Sequence, residues 1–408
     1  MKHCKPIKTC IACGGKKLLP TLDLSDQPLA NNFRKEKSTN GEDRYPLAVN
    51  RCNNCNHLQL THVVDPKIIY SNYLYVSGTS KTYTDYMKWY AHFVAEQLMD
   101  KTTVKNVLDI GCNDGSQLDA FRNLGWITFG VDPAENLYEQ SRKKGHTIWC
   151  AFWNKETAKN INNKFDVITT QNSFAHIPDP LTYLELARER LADDGRIFIS
   201  TSQADMVING EFDTIYHEHI SYYNSNSMKC LAERAGLYLV DVMKTSIHGT
   251  SYIFTLAKQP INKYRMENTF DMEVTSGLMK SNTYDKWSND VRDLLVTLKN
   301  QIDTYKKQGY TVLGYGAAAK GMTLINASNI ELDAVIDDNP LKQGLYCPGT
   351  KIPVVSINYI ELLKDSKQKI VFIPLAWNFY EEIKNKIKAK RNKSGDLFLR
   401  YFPSITTE

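Results

Sequence analysis

The sequence predicts an α/β protein in three parts. A small cysteine-bearing module spans residues 1–62, a doubly wound parallel sheet with a helical extension spans 63–260, and a smaller α/β unit spans 261–408. Three observations predict it. Two Cys-x-x-Cys pairs, Cys10/Cys13 and Cys52/Cys55, stand in a stretch with little periodicity. From Val104 onward short apolar runs alternate with helix-period segments, the pattern of parallel strands joined by crossover helices. A glycine-rich turn after a short apolar run occurs twice, at Gly111 and again at Gly314–Gly316.

Each element has its own signal. Leu18-Leu19, Leu47–Val49 and Leu58–Leu60 read as small strands around a metal. Tyr83, Tyr86, Trp89 and Phe93 recur at helical spacing within residues 63–100. Val107–Ile110 is a short strand ending at Gly111, followed by a helix through Leu118 and Phe121. Ile127–Val131 is the next strand, closing on Asp132-Pro133. Further strands are expected at Asp166–Thr169, Arg196–Ile199 and Tyr252–Ala257, with a helix over Leu181–Leu191. A polar linker with Pro260 precedes a long helix at roughly 284–308. Thr311–Leu313, Ala334–Asp338 and Ile370–Ile373 predict the strands of the last part.

Composition excludes several classes. At about 150 residues per domain, a chain of 408 residues makes two or three domains. It is 42% hydrophobic and 23% charged, which supports more than one core and excludes disorder. No run approaches about 18 consecutive apolar residues, so no membrane span is expected. The polar start, Met1–Pro6, predicts no secretory leader. Fifty basic against 45 acidic residues give a formal charge of +5, without the basic stripe of a nucleic-acid binder and compatible with an anionic small substrate. The densest basic run, Lys384–Lys393, reads as a solvated helix end. Nine cysteines, an odd number, predict a reducing cytoplasm rather than a disulfide scaffold.

The two cysteine pairs carry the strongest chemistry. Each sits on a tight knuckle, and four thiolates so arranged match a tetrahedral zinc site. Such a site has no open position, so its role is structural. Cys4 lies near the pair as a bystander. The loop Gly111-Cys112-Asn113-Asp114-Gly115 follows a strand and opens a helix, where backbone approaches a ligand closely. It departs from G-x-G-x-x-G, which disfavours a dinucleotide. Asp132, ending the next strand, can accept two ribose hydroxyls. Strand, glycine loop, helix, strand and acid is the order of the Rossmann-like class I S-adenosylmethionine (SAM) methyltransferases. SAM has no pyrophosphate, so Asp109 and Asp114 are tolerated beside it.

Two segments offer acid–base groups. Gln171–Asp179, with Asn172 and His176, follows a strand, and ligands of open α/β sheets bind beyond the carboxyl ends of strands. His176 reads equally as a chemical group or as a residue opening the next helix. Asp213–Tyr223 holds His217, Glu218 and His219 among Tyr216, Tyr222 and Tyr223. This is not the zinc motif H-E-x-x-H. On a strand His217 and His219 would share a face; on an irregular loop they need not. A neutral imidazole can take a proton near pH 7, and a tyrosine can donate to a developing oxyanion.

Taken together, these segments resemble the SAM-dependent sugar C-methyltransferases that act on nucleotide-linked 4-keto deoxysugars. The resemblance runs through the four cysteines, Gln27–Asn31, Tyr73–Ser77, Ile110–Gly115, Asn172–Ile177, Phe212–His219, His248-Gly249, Gly314–Gly321, Asp337–Gly344 and Cys347–Thr350. It implies a zinc module, a central SAM domain and a C-terminal Rossmann-like domain that holds the sugar nucleotide. It implies that His219 is the base that removes the proton beside the ketone, with Tyr216 and Glu218 as companions and His176 and Tyr75 lining the sugar pocket. Gly111, Asn113, Gly115, Asp132 and Asn172 would hold SAM. Tyr222, Gly316, Lys320 and Asp337 would hold a dTDP- or GDP-linked sugar. The expected protein is a monomer without nucleic-acid or membrane partners. The family commonly reads His-Gly-Gly-Ser followed by Leu-Arg, where this chain has His248-Gly249-Thr250-Ser251-Tyr252-Ile253. Ser200-Thr201-Ser202-Gln203 stands where the family often has a Glu. An O- or N-methyltransferase of another nucleotide sugar is the first alternative, and a zinc-ribbon nucleic-acid module the second.

Overall fold

A computed structural model describes residues 3–70, 77–79, 81–98, 103–202, 205–247, 250–261, 264–363 and 368–408. Its strands in chain order begin with β1 Cys4–Pro6, β2 Leu18–Gln27, β3 Tyr45–Cys52, β4 Leu58–Leu60 and β5 His62–Val64. There follow β6 Asn106–Ile110, β7 Ile127–Asp132, β8 Thr147–Cys150, β9 Phe165–Gln171, β10 Leu191–Ser202, β11 Ser221–Tyr222, β12 Tyr238–Thr245 and β13 Ser251–Ala257. The last are β14 Thr311–Tyr315, β15 Ala334–Ile336, β16 Val354–Val355, β17 Ile370–Pro374, β18 Leu397–Arg400 and β19 Thr406–Thr407. The chain forms two compact units, each assembled from separated stretches. The first comprises Met1–Leu19, Asn50–Asp205 and Glu218–Met279; the second comprises Pro20–Val49, Met206–His217 and Lys280–Glu408.

The first unit is built on a sheet of order β12-β13-β10-β9-β6-β7-β8. The strands from β6 to β10 pair in parallel, and β13 runs antiparallel to both β10 and β12. Strands covered on both faces must be apolar throughout. Accordingly Leu108, Ile110, Ile168, Ile197 and Ile199 face one core, whereas Val107, Val167 and Phe198 face another. The second core is closed by Tyr90, Ala91 and Val94 of the helix Lys81–Glu96. The chain runs outward from β6 to β8 and then returns to β9. The order therefore reverses between β6 and β9, the position at which open α/β sheets take ligands.

The helix starts follow local chemistry. Asp179 caps Pro180–Arg190 by accepting from Thr182 N, with proline in the first turn, where its missing N–H costs nothing. Asn224 and Ser227 form a reciprocal capping box on Ser225–Arg234. β11 pairs with β4, so the short apolar run at Leu58–Leu60 is a strand as expected.

The second unit carries a sheet of order β16-β15-β14-β17-β18-β19, parallel except for β19. Leu313, Ile336, Ile370 and Phe372 fill its core. The long helix expected near 284–308 is Ser281–Lys307. Arg34 pairs through its backbone with Tyr346, and Glu42 accepts Gly349 N at 2.9 Å, so residues from the first fifty belong to this unit. The basic run departs from expectation at one position. Lys386 and Lys388 are exposed, but Arg391 is buried in a two-pronged pair with Asp396, its Nε donating at 2.6 Å and its second prong at 3.1 Å. No helix among the described residues is long and apolar enough to cross a membrane.

Candidate functional site

The four cysteines of the two pairs converge. Cys10 and Cys55 bring their sulfurs to 3.6 Å, as do Cys13 and Cys52, and all four sulfurs lie within 4.8 Å of one another. A tetrahedron with zinc–sulfur bonds of about 2.3 Å has edges of about 3.8 Å, so the donor set fits the metal. Backbone geometry makes the knuckles. Gly14 N donates to Cys10 O at 2.8 Å, and Cys52 N donates to His57 O at 2.8 Å. Gly15 N and Asn54 N each point at a sulfur, on Cys13 and Cys52, at 3.4 Å. A hydrogen bond from Cys55 draws the Cys10 thiol down, and the same contact pushes Cys55 up. A divalent cation removes that conflict by deprotonating the set. Cys4 pairs with Val64 in a separate ribbon, outside the cluster.

At the carboxyl ends of β6 and β9, the backbone bends through left-handed residues. Gly111 has φ +87°, and a Cβ there would stand 2.6 Å from Ser173 Oγ, so only glycine fits. Asn113 adopts φ +51°. Its N–H donates to Asp132 Oδ2 at 2.8 Å, and its side-chain oxygen accepts from Ser77 N at 2.9 Å. Gly115, φ +77°, opens the helix Ser116–Arg122. Asp132 Oδ1 accepts Ala134 N at 2.8 Å, and burial nonetheless pushes the Asp132 carboxyl up. Asn172, φ +55°, donates through Nδ2 to Tyr83 Oη at 3.0 Å. Thus, of the five residues expected to hold the cofactor, Asn113 and Asp132 meet directly, Gly111 and Gly115 lie in the same loop as Asn113, and the turn of Asn172 reaches Gly111 through Ser173.

Sequence reasoning missed the supporting groups. Ser173 donates to Ile110 O at 3.1 Å, tying β9 to β6. Asp109 is buried, and its Oδ1 has no hydrogen-bond partner among the described residues. Burial, aided by the Asp132 charge, pushes Asp109 up to about 8. It is therefore a neutral acid at pH 7. Nothing in the local sequence marks Ser173 or Tyr83, because their partners lie far away along the chain.

The acid–base segments lie on irregular backbone. Residues 211–220 form turns rather than a strand, so His217 and His219 share no face. His176, in the short turn Phe174–His176, stacks on Tyr70 at 5.8 Å and 11°. It also meets His219 at 5.2 Å and 32°. Burial holds His176 down at about 4, so it is a neutral imidazole, and its Nε2 is buried without a hydrogen-bond partner among the described residues. Tyr222 approaches His219 edge-on at 6.4 Å, and burial raises its phenol well above the usual range. Glu218 is buried and Tyr216 half-buried. Tyr75, His248 and Gly249 lie outside the described residues. His217 belongs to the second unit, where it donates from Nε2 to Tyr45 O at 3.2 Å.

In the second unit the Gly316 turn, φ +99°, follows β14 and leads into the helix Ala319–Ser328. Asp337, just past β15, accepts Ala317 N at 2.6 Å and Asn339 N at 2.8 Å, so it braces the loop. Lys342 donates to Ala317 O at 2.7 Å. Lys320, in the first turn of the helix, lies over the Trp377 ring at 5.2 Å.

Comparison with known proteins decides the class. Residues 83–242 match the family model of a methyltransferase domain, residues 246–403 that of the C-methyltransferase C-terminal domain, and residues 10–70 that of a zinc binding domain. The C-methyltransferase NovU of Streptomyces niveus is 29% identical over 395 residues, covering 93% of this chain and 92% of NovU. The chain is a SAM-dependent C-methyltransferase. Its zinc-binding domain contains the cluster of Cys10, Cys13, Cys52 and Cys55, a donor set that fits the metal. A ubiquinone biosynthesis O-methyltransferase of Histophilus somni (strain 2336) is 34% identical over 116 residues, 26% of this chain and 48% of that protein. Among solved structures, the magnesium protoporphyrin IX methyltransferase from Synechocystis PCC 6803 with bound SAH has a TM-score of 0.36 at 13% identity, covering 47% of this chain and 92% of that one.

Two outcomes are expected. Metal analysis finds one zinc per chain, and its verified removal by a chelator lowers the melting temperature; unchanged melting after removal would sink the structural role. The second concerns Asp109, whose folded-state value of about 8 lies above the ordinary carboxyl value of 3.8. The folded state then binds the extra proton, so this contribution to stability is complete below about pH 4 and is lost as pH rises through about 8. Asp109→Asn should flatten the stability profile over that interval, measured by urea unfolding at a series of pH values.

Proposed function

We propose that this C-methyltransferase methylates C3 of a nucleotide-linked 4-keto-6-deoxysugar through an enolate, with His219 as the base. The observation that carries the reading is the contact of His219 with the buried, neutral His176, a few residues beyond Asn172 in the same turn region after β9. Carbon is a poor nucleophile until a proton is removed. A hydrogen beside a ketone is acidic because the electron pair delocalises onto the oxygen. A base within hydrogen-bond reach can take it near pH 7.

SAM, when bound, supplies an electrophilic methyl group. Gly111, Asn113 and Gly115 shape its loop. Asp132 keeps lone pairs for two ribose hydroxyls, since only one backbone N–H reaches each of its oxygens. Asn172, held by Tyr83, borders the same edge. His219 takes the C3 proton. Tyr222 donates to the developing O4 oxyanion, Glu218 orients the imidazole, and Tyr216 serves the reaction as a further donor. His176 and Tyr75 border the sugar. In the second unit Gly316 and Lys320 take the nucleotide diphosphate, dTDP or GDP, on a loop that Asp337 braces.

The test is mass spectrometry in deuterated water, with a panel of nucleotide-linked 4-keto-6-deoxysugars. With SAM withheld, deuterium should enter at C3; with SAM, a methyl group should appear on that carbon. Methylation without exchange would point to oxygen or nitrogen and refute the enolate. His219→Ala should abolish both exchange and methylation while SAM affinity stays within about twofold by calorimetry. A comparable loss of SAM binding would make the cluster structural instead.

A further inference from the structure

Asp213 sits in the stretch Met206–His217, which folds with the second unit. Its side chain is buried, with 1% of its surface exposed. Oδ2 accepts two hydrogen bonds, from Trp377 Nε1 at 2.9 Å and from the Tyr401 hydroxyl at 2.8 Å. Oδ1 is buried without a hydrogen-bond partner among the described residues, and Lys320 Nζ lies 4.0 Å from it. The partners come from different places in sequence but from one place in the sheet. Lys320 follows β14, Trp377 follows β17 and Tyr401 follows β18, three adjacent parallel strands. This carboxyl edge is where an open parallel sheet ordinarily takes a ligand. Here the chain's own carboxylate takes the part of that edge beyond β17 and β18.

The residues around Asp213 are fastened to the same unit. Glu211 O accepts from Trp287 Nε1 at 2.9 Å, and Ile215 O accepts from Thr323 Oγ1 at 3.3 Å. His217 donates to Tyr45 O at 3.2 Å. Alternate residues from 211 to 217 are therefore each fixed by a bond to another element. Asp213 carries the only full charge among these fixings, and hydrogen bonds to a carboxylate are stronger than neutral ones. Its loss would leave the indole and phenol donors buried and unpaired.

The geometry points to Asp213 as a positioning residue: it pins the stretch that carries Tyr216 to the carboxyl edge of the second sheet, and methyl transfer depends on that pin. The dependence rests on the role given above to Tyr216. The pin itself does not. Asp213 touches no reacting atom and acts through the residues it holds.

The test uses the full chain with Asp213→Ala, Asp213→Asn and Tyr401→Phe. Hydrogen exchange followed by mass spectrometry reads the amides of residues 206–217. Steady-state kinetics on the nucleotide 4-keto-6-deoxysugar panel reads kcat, and calorimetry reads SAM affinity. Asp213→Ala should speed exchange within 206–217 by about tenfold or more and leave other segments unchanged. It should lower kcat by about 10- to 100-fold, the scale of a small misplacement, with SAM affinity within about twofold. Asp213→Asn keeps one acceptor oxygen and should recover part of both effects. Tyr401→Phe deletes one donor and should show a smaller form of each, which keeps the test open if Asp213→Ala does not fold. Unchanged exchange in Asp213→Ala overturns the pin. Faster exchange throughout the protein overturns it as well, since that marks general destabilisation. Faster local exchange with unchanged kcat overturns the link to catalysis. If the unmodified protein turns over no sugar in the panel, the proposed reaction fails, and exchange in 206–217 still decides the pin.

Discussion

Parallel strands end on the same edge, and the first unit depends on that constraint. β6 lies between β7 and β9, and each of these three strands ends in a residue or turn that bends away from the sheet. Gly111 N donates to Val131 O at 2.7 Å, binding the end of β6 to the end of β7. Ser173 Oγ donates to Ile110 O at 3.1 Å, binding the turn after β9 to β6. Asn172 N donates to Ser200 O at 2.8 Å, adding the end of β10. Residues separated by as many as ninety positions are thereby fixed in one row. Left-handed backbone turns the chain out of the sheet at that row, at Gly111 and Asn113 after β6 and at Asn172 after β9.

The row is also dense in acids, and each is handled differently. Asp109 is buried and is neutral at pH 7 because desolvation, aided by the Asp132 charge, favours its protonated form. Asp132 keeps two backbone N–H donors. Asp114 accepts from Ser116 N at 3.2 Å and Ser116 Oγ at 2.8 Å, with Lys144 Nζ 3.6 Å away. A pyrophosphate placed beside Asp114 and Asp132 would meet like charge. A sulfonium would meet attraction. The arrangement therefore suits the cofactor of a methyltransferase and disfavours a dinucleotide, the same distinction that the missing G-x-G-x-x-G spacing makes by steric means.

Legibility in the sequence followed how local each signal is. The four cysteines were readable because two knuckles carry their own turn chemistry, and metal geometry does the rest. The central strands of both sheets were readable because burial on two faces forces short apolar runs, whereas β8, β12, β16, β18 and β19 at the sheet margins were not. The loop residues Gly111 and Asn113 were readable for the same local reason. The make-up of the second unit was not. Arg34 joins it through Tyr346, and Asp213 joins it through Trp377 and Tyr401, contacts that span most of the chain and leave no periodic trace. Arg391 shows the same effect on a smaller scale. It sits in a basic run that reads as solvent-facing, and only the Asp396 carboxylate, placed by the following turn, explains why it is buried.

The two histidines separated by Glu218 show why residue type and spacing alone do not assign a base. His217 is buried, and its Nε2 faces the carbonyl of Tyr45, which can only accept. The ring proton must therefore sit on Nε2, and burial keeps the imidazole neutral, held down at about 4. A ring fixed in this way, with its remaining nitrogen buried, is committed to holding the chain. His219, in the first unit, meets another imidazole and a phenol edge, and that imidazole, His176, lies beyond the strand end that presents Asn172. A strand would have put both histidines on one face with equal claims to the chemistry. The irregular backbone of 211–220 separates them, giving His217 to a backbone carbonyl and His219 to the rings of His176 and Tyr222.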